Sequence, residues 1–231
     1  MTRQGGTVAG EVAAVVFDLD GVLIDSEPVW EQVRREHVRR HGGTWHDDTQ
    51  ARLMGMSTEE WAGYLAGELG VDQPPDAVAR EVLERMGERY GQRPPLLDGA
   101  VEAVERIGSR WPLGLASSSS RGLIDLVLRA AGIDRWFMVT VSTEEVPRGK
   151  PAPDVYLEVA RRLSVEPGAC VAVEDSSNGV RSAAAAGMRV IAIPTDRYPL
   201  DDDAATAASL TLHRLDELSV DAVATAGRPG S

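Results

Sequence analysis

Val12-Ala-Ala-Val-Val-Phe17 runs straight into Asp18-Leu-Asp20-Gly-Val-Leu-Ile-Asp25-Ser26, and the junction of these two stretches decides how the chain is read. The first is continuously apolar and rich in valine, with no polar residue on either side of a pleat. Such a run predicts a strand buried on both faces, as found inside a parallel sheet. Similar runs recur at Leu113–Ala116, Met138–Val141, Cys170–Val173 and Val190–Ile193, separated by helical patterns at Ile124–Ala131, Pro153–Leu163 and Gly179–Ala186. Strands alternating with helices of that length predict right-handed βαβ units and a doubly wound α/β sheet.

Between about Glu27 and Pro95 this rhythm breaks, leaving helical patterns only, at Val29–His41, Ser57–Leu69 and Asp76–Tyr90. Ser57-Thr-Glu-Glu60 has the spacing of a capping box, and Pro74-Pro75 marks a connection. A helical module is therefore expected to interrupt the α/β domain right after its first strand. Residues 1–26 and 94–220 are assigned to the α/β core, 27–93 to the insert and 221–231 to a flexible tail, because the last stretch is rich in turn formers and poor in apolar anchors.

Of 231 residues, 36 are Asp or Glu and 24 are Lys or Arg, a formal charge of −12. Polyanions are gripped by cationic side chains that displace condensed counterions, so nucleic acid and acidic membrane surfaces are excluded as general partners. The single cysteine, Cys170, can form neither an intrachain disulfide nor a thiolate metal site, and the apolar run after residue 11 is too short for a signal peptide or a membrane span. A cytoplasmic location is expected, as a monomer with a weak dimer as the alternative. The basic stretch Arg34–His41 is interleaved with Glu31 and Glu36 and reads as a solvated helix face. His37 and His41 share one stripe of that helix. With His46 the one further candidate ligand, they read as histidines at a packed helix interface rather than as a zinc site.

The acids that carry chemistry are not spread evenly. Asp18, Asp20 and Asp25 cluster behind the first strand, and Glu174-Asp175 follow the run Cys170–Val173 in the same way. In α/β sheets, ligands bind beyond the carboxyl ends of the strands. Two strand ends delivering carboxylates to one edge make an oxygen-rich site suited to Mg²⁺. Any one of these acids could equally be a turn former or helix cap, Asp25 above all. Ser117 ends another strand, where its hydroxyl and the following N–H groups could hold phosphoryl oxygens, and Lys150, in Arg148-Gly-Lys-Pro-Ala-Pro153, could neutralise a transferring phosphoryl group. Taken singly, either is more often structural.

In this order, Asp18-Leu-Asp-Gly-Val-Leu, Ser117, Lys150-Pro151 and Glu174-Asp-Ser-Ser-Asn-Gly179 resemble the four motifs of the haloacid dehalogenase-like phosphohydrolases. The helical insert is similar to the small cap of the subgroup that includes β-phosphoglucomutase and phosphoglycolate phosphatase. Within it, Asp25-Ser-Glu-Pro-Val-Trp30 and Arg93-Pro-Pro-Leu-Leu-Asp-Gly99 look most like hexitol-phosphate and 2-deoxyglucose-6-phosphate phosphatases. The resemblance implies a Rossmann-like catalytic core with an inserted α-helical cap, and a Mg²⁺-dependent phosphatase acting on small phosphorylated metabolites such as sugar or polyol phosphates.

Carried over residue by residue, it implies Asp18 as nucleophile forming an aspartyl-phosphate and Asp20 as general acid and base. Mg²⁺ would be held by Asp18, the Asp20 carbonyl and Asp175, with Glu174 bound directly or through water. Ser117 and Lys150 would hold the phosphoryl oxygens, with Ser118 and Asn178 near the substrate. In the cap, Trp30, Met56 and Glu59 are the candidates for substrate contact, although packing alone explains Trp30, Trp45 and Trp61 equally well. The β-phosphoglucomutases carry a cap arginine for a second phosphate, preceded by a lysine. Thr58 and Met54 stand at those places here, which favours hydrolysis over the alternative, a phosphosugar mutase. The dehalogenase branch lacks the second aspartate and fits less well; a catalytically idle member is disfavoured because every motif residue is present.

Overall fold

The computed structural model describes residues 11–53 and 56–226. In chain order its elements are β1 (Ala14–Phe17), α1 (Glu27–Arg40), α2 (Thr49–Leu53), α3 (Thr58–Gly67), α4 (Pro75–Gln92), α5 (Ala100–Gly108), β2 (Leu113–Ser117), α6 (Arg121–Ala131), β3 (Phe137–Ser142), α7 (Asp154–Leu163), β4 (Cys170–Glu174), α8 (Ser177–Ala185), β5 (Arg189–Ala192), α9 (Asp202–Ala207), β6 (Leu210–Thr211) and α10 (Val220–Thr225). The chain divides into two compact units, one of Asp25–Pro95 and one of Met1–Ile24 with Leu96–Ser231.

In the larger unit the strands form one parallel sheet in the order β3-β2-β1-β4-β5-β6, a Rossmann-like α/β arrangement. The first strand lies in the middle because it can be buried on both faces: Ala14, Val15, Val16 and Phe17 are all solvent-free. Side chains alternate across the pleat, so Ala14 and Val16 join one core with Val155, Tyr156 and Val159 of α7. On the other face of the alternation, the Phe17 ring meets Phe137 edge-on at 6.3 Å. Burial of each such side chain is worth about 1.5–3 kcal/mol. Gly114 in β2 lets α7 approach the sheet, since a Cβ there would overlap Val159. Pairing continues past β1 through the Asp18 N–H, which donates to the Val173 carbonyl at 2.9 Å, so the chain carrying the first acids stays in register with β4.

The helical unit is built on α1, α3 and α4. Ser57 and Glu60 form a reciprocal capping box at the start of α3, the Ser57 N–H donating to Glu60 at 2.7 Å and the Glu60 N–H to Ser57 Oγ at 3.3 Å. One expectation is corrected here: Arg34 does not lie on a solvated face but is buried, its guanidinium 4.5 Å from the Trp30 ring and 5.0 Å from the Trp61 ring. Burial pushes it down to about 10, opposed by Glu27 and Tyr90. Stacking between two indoles offsets part of the desolvation cost of that charge.

The tail is a second correction. Ser219 Oγ accepts from the Ala222 N–H at 3.0 Å and starts α10, Val223 and Ala226 are buried, and Arg189 donates to the Ala226 carbonyl at 3.2 Å. Within 221–226 the buried Val223 and Ala226 are the anchors. Residues 227–231 lie outside the described residues, as do Met54 and Gly55 and the polar start up to residue 10. Cys170 is buried in β4, and burial raises its thiol to about 11, so it is an inert core residue.

Candidate active site

Three neighbouring strands, β2, β1 and β4, end at the same edge of the sheet, and each delivers polar side chains there. Asp18 and Asp20 follow β1, Ser117 closes β2, and Glu174 closes β4 with Asp175 next to it. Lys150 enters from the segment before α7. Its ammonium, 6% exposed, donates to Asp18 Oδ1 at 2.7 Å, to Glu174 Oε1 at 2.6 Å and to the Ala116 carbonyl at 3.1 Å. One lysine thereby ties the ends of all three strands together. Burial alone would push its ammonium down, but Asp18 and Glu174 outweigh that and hold it above its ordinary value.

Asp20 turns away from the lysine. Its Oδ2 accepts from Ser119 Oγ at 2.8 Å and Ser117 Oγ at 3.2 Å, while the buried Oδ1 has no hydrogen-bond partner among the described residues. Ser117 Oγ in turn accepts from the Ser119 N–H at 3.0 Å, and Ser142 Oγ donates to the Ser119 carbonyl at 2.7 Å, which fixes the loop after β2.

Glu174 is saturated. Besides Lys150, its Oε1 accepts from Tyr156 Oη at 2.7 Å, and its Oε2 accepts from the Asp175 N–H, the Ser176 N–H and Ser176 Oγ at 3.1, 3.3 and 3.2 Å. A carboxylate offers about four lone-pair directions. Five donors crowd these directions, so Glu174 is held where it orients Lys150 and the β4 loop. Gly179 makes room for it: a Cβ there would overlap the Glu174 carboxylate. Alanine is ordinarily better than glycine inside a helix by about 1 kcal/mol. At this position Gly179→Ala is nevertheless expected to lower stability by roughly 1–3 kcal/mol, as overpacking does, and to depress turnover by displacing Glu174 from Lys150. Thermal melting and a steady-state assay check both halves.

Three carboxylates, those of Asp18, Glu174 and Asp175, thus gather around the Lys150 ammonium, with Asp20 beside them on its serine partners. Burial pushes Asp18 up to about 8, with Glu174 and Asp20 adding and Lys150 opposing. Asp175 is raised well above its usual range by burial, then by Glu174 and Asp18. An excess of buried negative charge suits a divalent cation, and oxygen atoms of Asp18, Glu174 and Asp175 lie within 4.8 Å of one another. Gly21, at φ +84°, carries no side chain to obstruct the Asp175 carboxylate passing over it. The residues fit a hard cation held by Asp18 and Asp175, with the unpaired Asp20 Oδ1 close by.

The other expected positions are placed differently. Ser118 is exposed beside this cluster. Asn178 is exposed on α8, where its Oδ1 accepts from Arg181 at 3.3 Å. Asp25 is exposed, and Ser26 rather than Asp25 holds the N-cap of α1. Trp30, Met56 and Glu59 belong to the helical unit; Trp30 packs on Trp61 at 6.1 Å and on Arg34, Met56 is half-buried and Glu59 exposed. Two residues of the cluster went unread in the sequence, Ser119 and Tyr156. Ser119 shares the alternation of Ser117 in the serine run 117–120, a signal that could have found it. Tyr156 sits among the apolar positions of α7 and carries no such signal.

Residues 12–187 match the haloacid dehalogenase-like hydrolases, and the chain belongs to that family. It is 34% identical over 220 residues to hexitol phosphatase B of Escherichia coli K12, a match covering 90% of this chain and 95% of that protein. It is 33% identical to a phosphorylated carbohydrates phosphatase of Thermotoga maritima, covering 77% and 83%. Among solved structures, CbbY of Rhodobacter sphaeroides in complex with phosphate superposes with a TM-score of 0.81 at 25% identity, over 92% of this chain and 99% of that one.

Proposed function

We propose that this phosphomonoester hydrolase acts on small sugar or polyol phosphates in the cytoplasm, requires Mg²⁺, and works through an aspartyl-phosphate on Asp18. The reading rests on one observation above the rest: Lys150 bridges Asp18 and Glu174 at the strand ends while Asp20 stands free of it, paired with serine hydroxyls. The two aspartates, two residues apart, have different partners and therefore suit different tasks. Asp18, aligned by Lys150, attacks phosphorus. Asp20 gives a proton to the departing sugar oxygen and then takes one from the water that hydrolyses the acyl phosphate. Lys150 and the Ser117 hydroxyl hold phosphoryl oxygens, and Asp18, Asp175 and the Asp20 carbonyl are the ligands assigned to Mg²⁺. When bound, that ion supplies charge neutralisation for the phosphoryl group, which with alignment is most of what phosphoryl transfer needs.

Screening a panel of phosphorylated metabolites for released phosphate tests this reading. Sugar and polyol phosphates are expected to lead the panel, EDTA to abolish release and about 1–5 mM Mg²⁺ to restore it. Acid quenching of a single turnover with labelled substrate should trap a phosphorylated protein. Full activity in EDTA, or no phosphate release from any ester, overturns the proposal. Glucose 1-phosphate with a bisphosphate activator should yield free phosphate rather than an isomer, since Thr58 cannot hold a second phosphate as a cation would.

A further inference from the structure

Within the helical unit, α1 and α4 bring together three side chains of another chemistry. His37, in the last turn of α1, and His41, the residue that caps its carboxyl end, lie four residues apart with their rings 4.5 Å apart. Glu81 of α4 faces both, its Oε2 3.2 Å from His41 Nε2 and 3.8 Å from His37 Nδ1. One donor atom from each of the three lies within 4.8 Å of the other two. Ligands bound at about 2.0–2.1 Å in a tetrahedron stand roughly 3.4 Å apart, so only small inward movements separate this arrangement from a coordination sphere.

An ordinary packed interface does not account for these groups. His37 is 1% exposed, yet among the described residues neither of its ring nitrogens makes a well-aligned hydrogen bond, Glu81 and Gln73 being the polar groups that face it, and the 3.2 Å approach of His41 Nε2 to Glu81 is not aligned as one either. Buried polar atoms of native proteins are rarely left so. Glu81 is held in place from behind, its Oε1 accepting from Gln73 Nε2 at 2.7 Å, as the carboxylates of metal sites commonly are. Burial, then His41 and Arg40, push His37 below its ordinary value, against Glu81 and Gln73.

We propose that His37, His41 and Glu81 form a Zn²⁺ site that pins α1 to α4, separate from the oxygen-rich cluster of the α/β unit. Two imidazoles and one carboxylate suit Zn²⁺ and its neighbours in the transition series rather than Mg²⁺ or Ca²⁺. His41 and Glu81 are 22% and 35% exposed, which leaves the fourth position open to water. The site is structural: the residue after His37, where helical zinc hydrolases carry their glutamate base, is Val38.

Equilibrium dialysis of the full chain against micromolar Zn²⁺, with millimolar Mg²⁺ present to fill the oxygen site, tests this. One zinc per chain is expected in the parent protein and in Asp175→Asn. Affinity should fall by at least about 10-fold in His41→Ala and Glu81→Gln, and Co²⁺ should give tetrahedral visible bands in the parent and in Asp175→Asn. Zinc at about 100-fold over its Kd should raise the Tm of the parent by roughly 5–10 °C and leave the Tm of the two ligand variants where it was. Glu81→Gln is isosteric and at a partly exposed position, so its fold is retained; the Co²⁺ spectrum of the parent decides the question should His41→Ala unfold. Uptake that survives both ligand variants, loss of uptake in Asp175→Asn, or no uptake at on the order of 100 µM free Zn²⁺ overturns the site.

Discussion

Asp18→Asn is expected to abolish phosphate release, by roughly 10⁴-fold or more, and in the same preparation to melt at a higher temperature than the parent in Mg²⁺-free buffer. The two effects share one cause. Asp18 is 5% exposed, and burial, then Glu174 and Asp20, hold its folded pKa at about 8 against an ordinary 3.8. An acid whose pKa is raised on folding favours the folded state in its protonated form. Its contribution is intact below about pH 4 and is lost progressively as pH rises towards about 8. The amide has no proton to lose and escapes that decline. The advantage of the variant should therefore grow across this window, reaching roughly 1–3 kcal/mol, or about 2–4 °C for each kcal/mol. Mg²⁺ should close the gap by stabilising the parent and not the variant. Melting curves at pH 4.5 and pH 8, with and without Mg²⁺, read all of this; a variant no more stable at pH 8 than at pH 4.5, relative to the parent, overturns it.

That outcome bears on how a nucleophile is kept ready. The carboxylates are gathered by the fold at a cost in stability, because alternating apolar residues on β1 and β4 fix where the strands end and hence how close Asp18, Glu174 and Asp175 come. The register that makes the core therefore makes the charge cluster as well.

Much of this was legible in the sequence, and the reasons differ from element to element. β1 and β4 declare themselves because a strand buried on both faces has to be apolar throughout, and the acids that stop each run mark the strand end. β6 did not, since two residues, Leu210 and Thr211, are too few to show any period. Residues 221–226 did not show their order, because a single valine, Val223, among small residues gives no period, and only contact with the rest of the fold reveals it and Ala226 as anchors. Arg34 was misread for a related reason: charge interleaving marks a solvated face unless two indoles, Trp30 and the distant Trp61, close over it.

The site divides in the same way. The types and order of Asp18, Asp20, Ser117, Lys150 and Asp175 are local properties of loops that follow strands. What each oxygen accepts is not local. The saturation of Glu174 depends on Tyr156 from α7 and on Gly179 having no side chain, and the third partner of His37 and His41 comes from α4, beyond any spacing rule for α1.

Lys150→Met is expected to be the most damaging single change in the α/β unit. Methionine matches the length of the lysine stem but brings no charge and no donor. Glu174, with no exposure at all, would keep Tyr156 Oη and the loop donors yet lose the cation that pairs it, and Asp18 would lose its alignment as well. Removing one partner of a buried ion pair costs about 3–5 kcal/mol, because the remaining charge stays desolvated and uncompensated. Adding Glu174→Gln should return part of that stability, since the amide needs no counter-charge, although its single oxygen can accept either from the Asp175 and Ser176 N–H groups or from Tyr156 Oη and not from both sides. Turnover should not return, because Lys150 is also what holds Asp18 and the phosphoryl oxygens. The double-mutant cycle, read by denaturant unfolding, should thus show a coupling of roughly 1–3 kcal/mol between positions 150 and 174, while the activity of the double variant stays as low as that of Lys150→Met alone. Additive stabilities would mean that the two groups do not act as a pair; recovered turnover would mean that Lys150 serves only to neutralise Glu174 and takes no part in aligning Asp18.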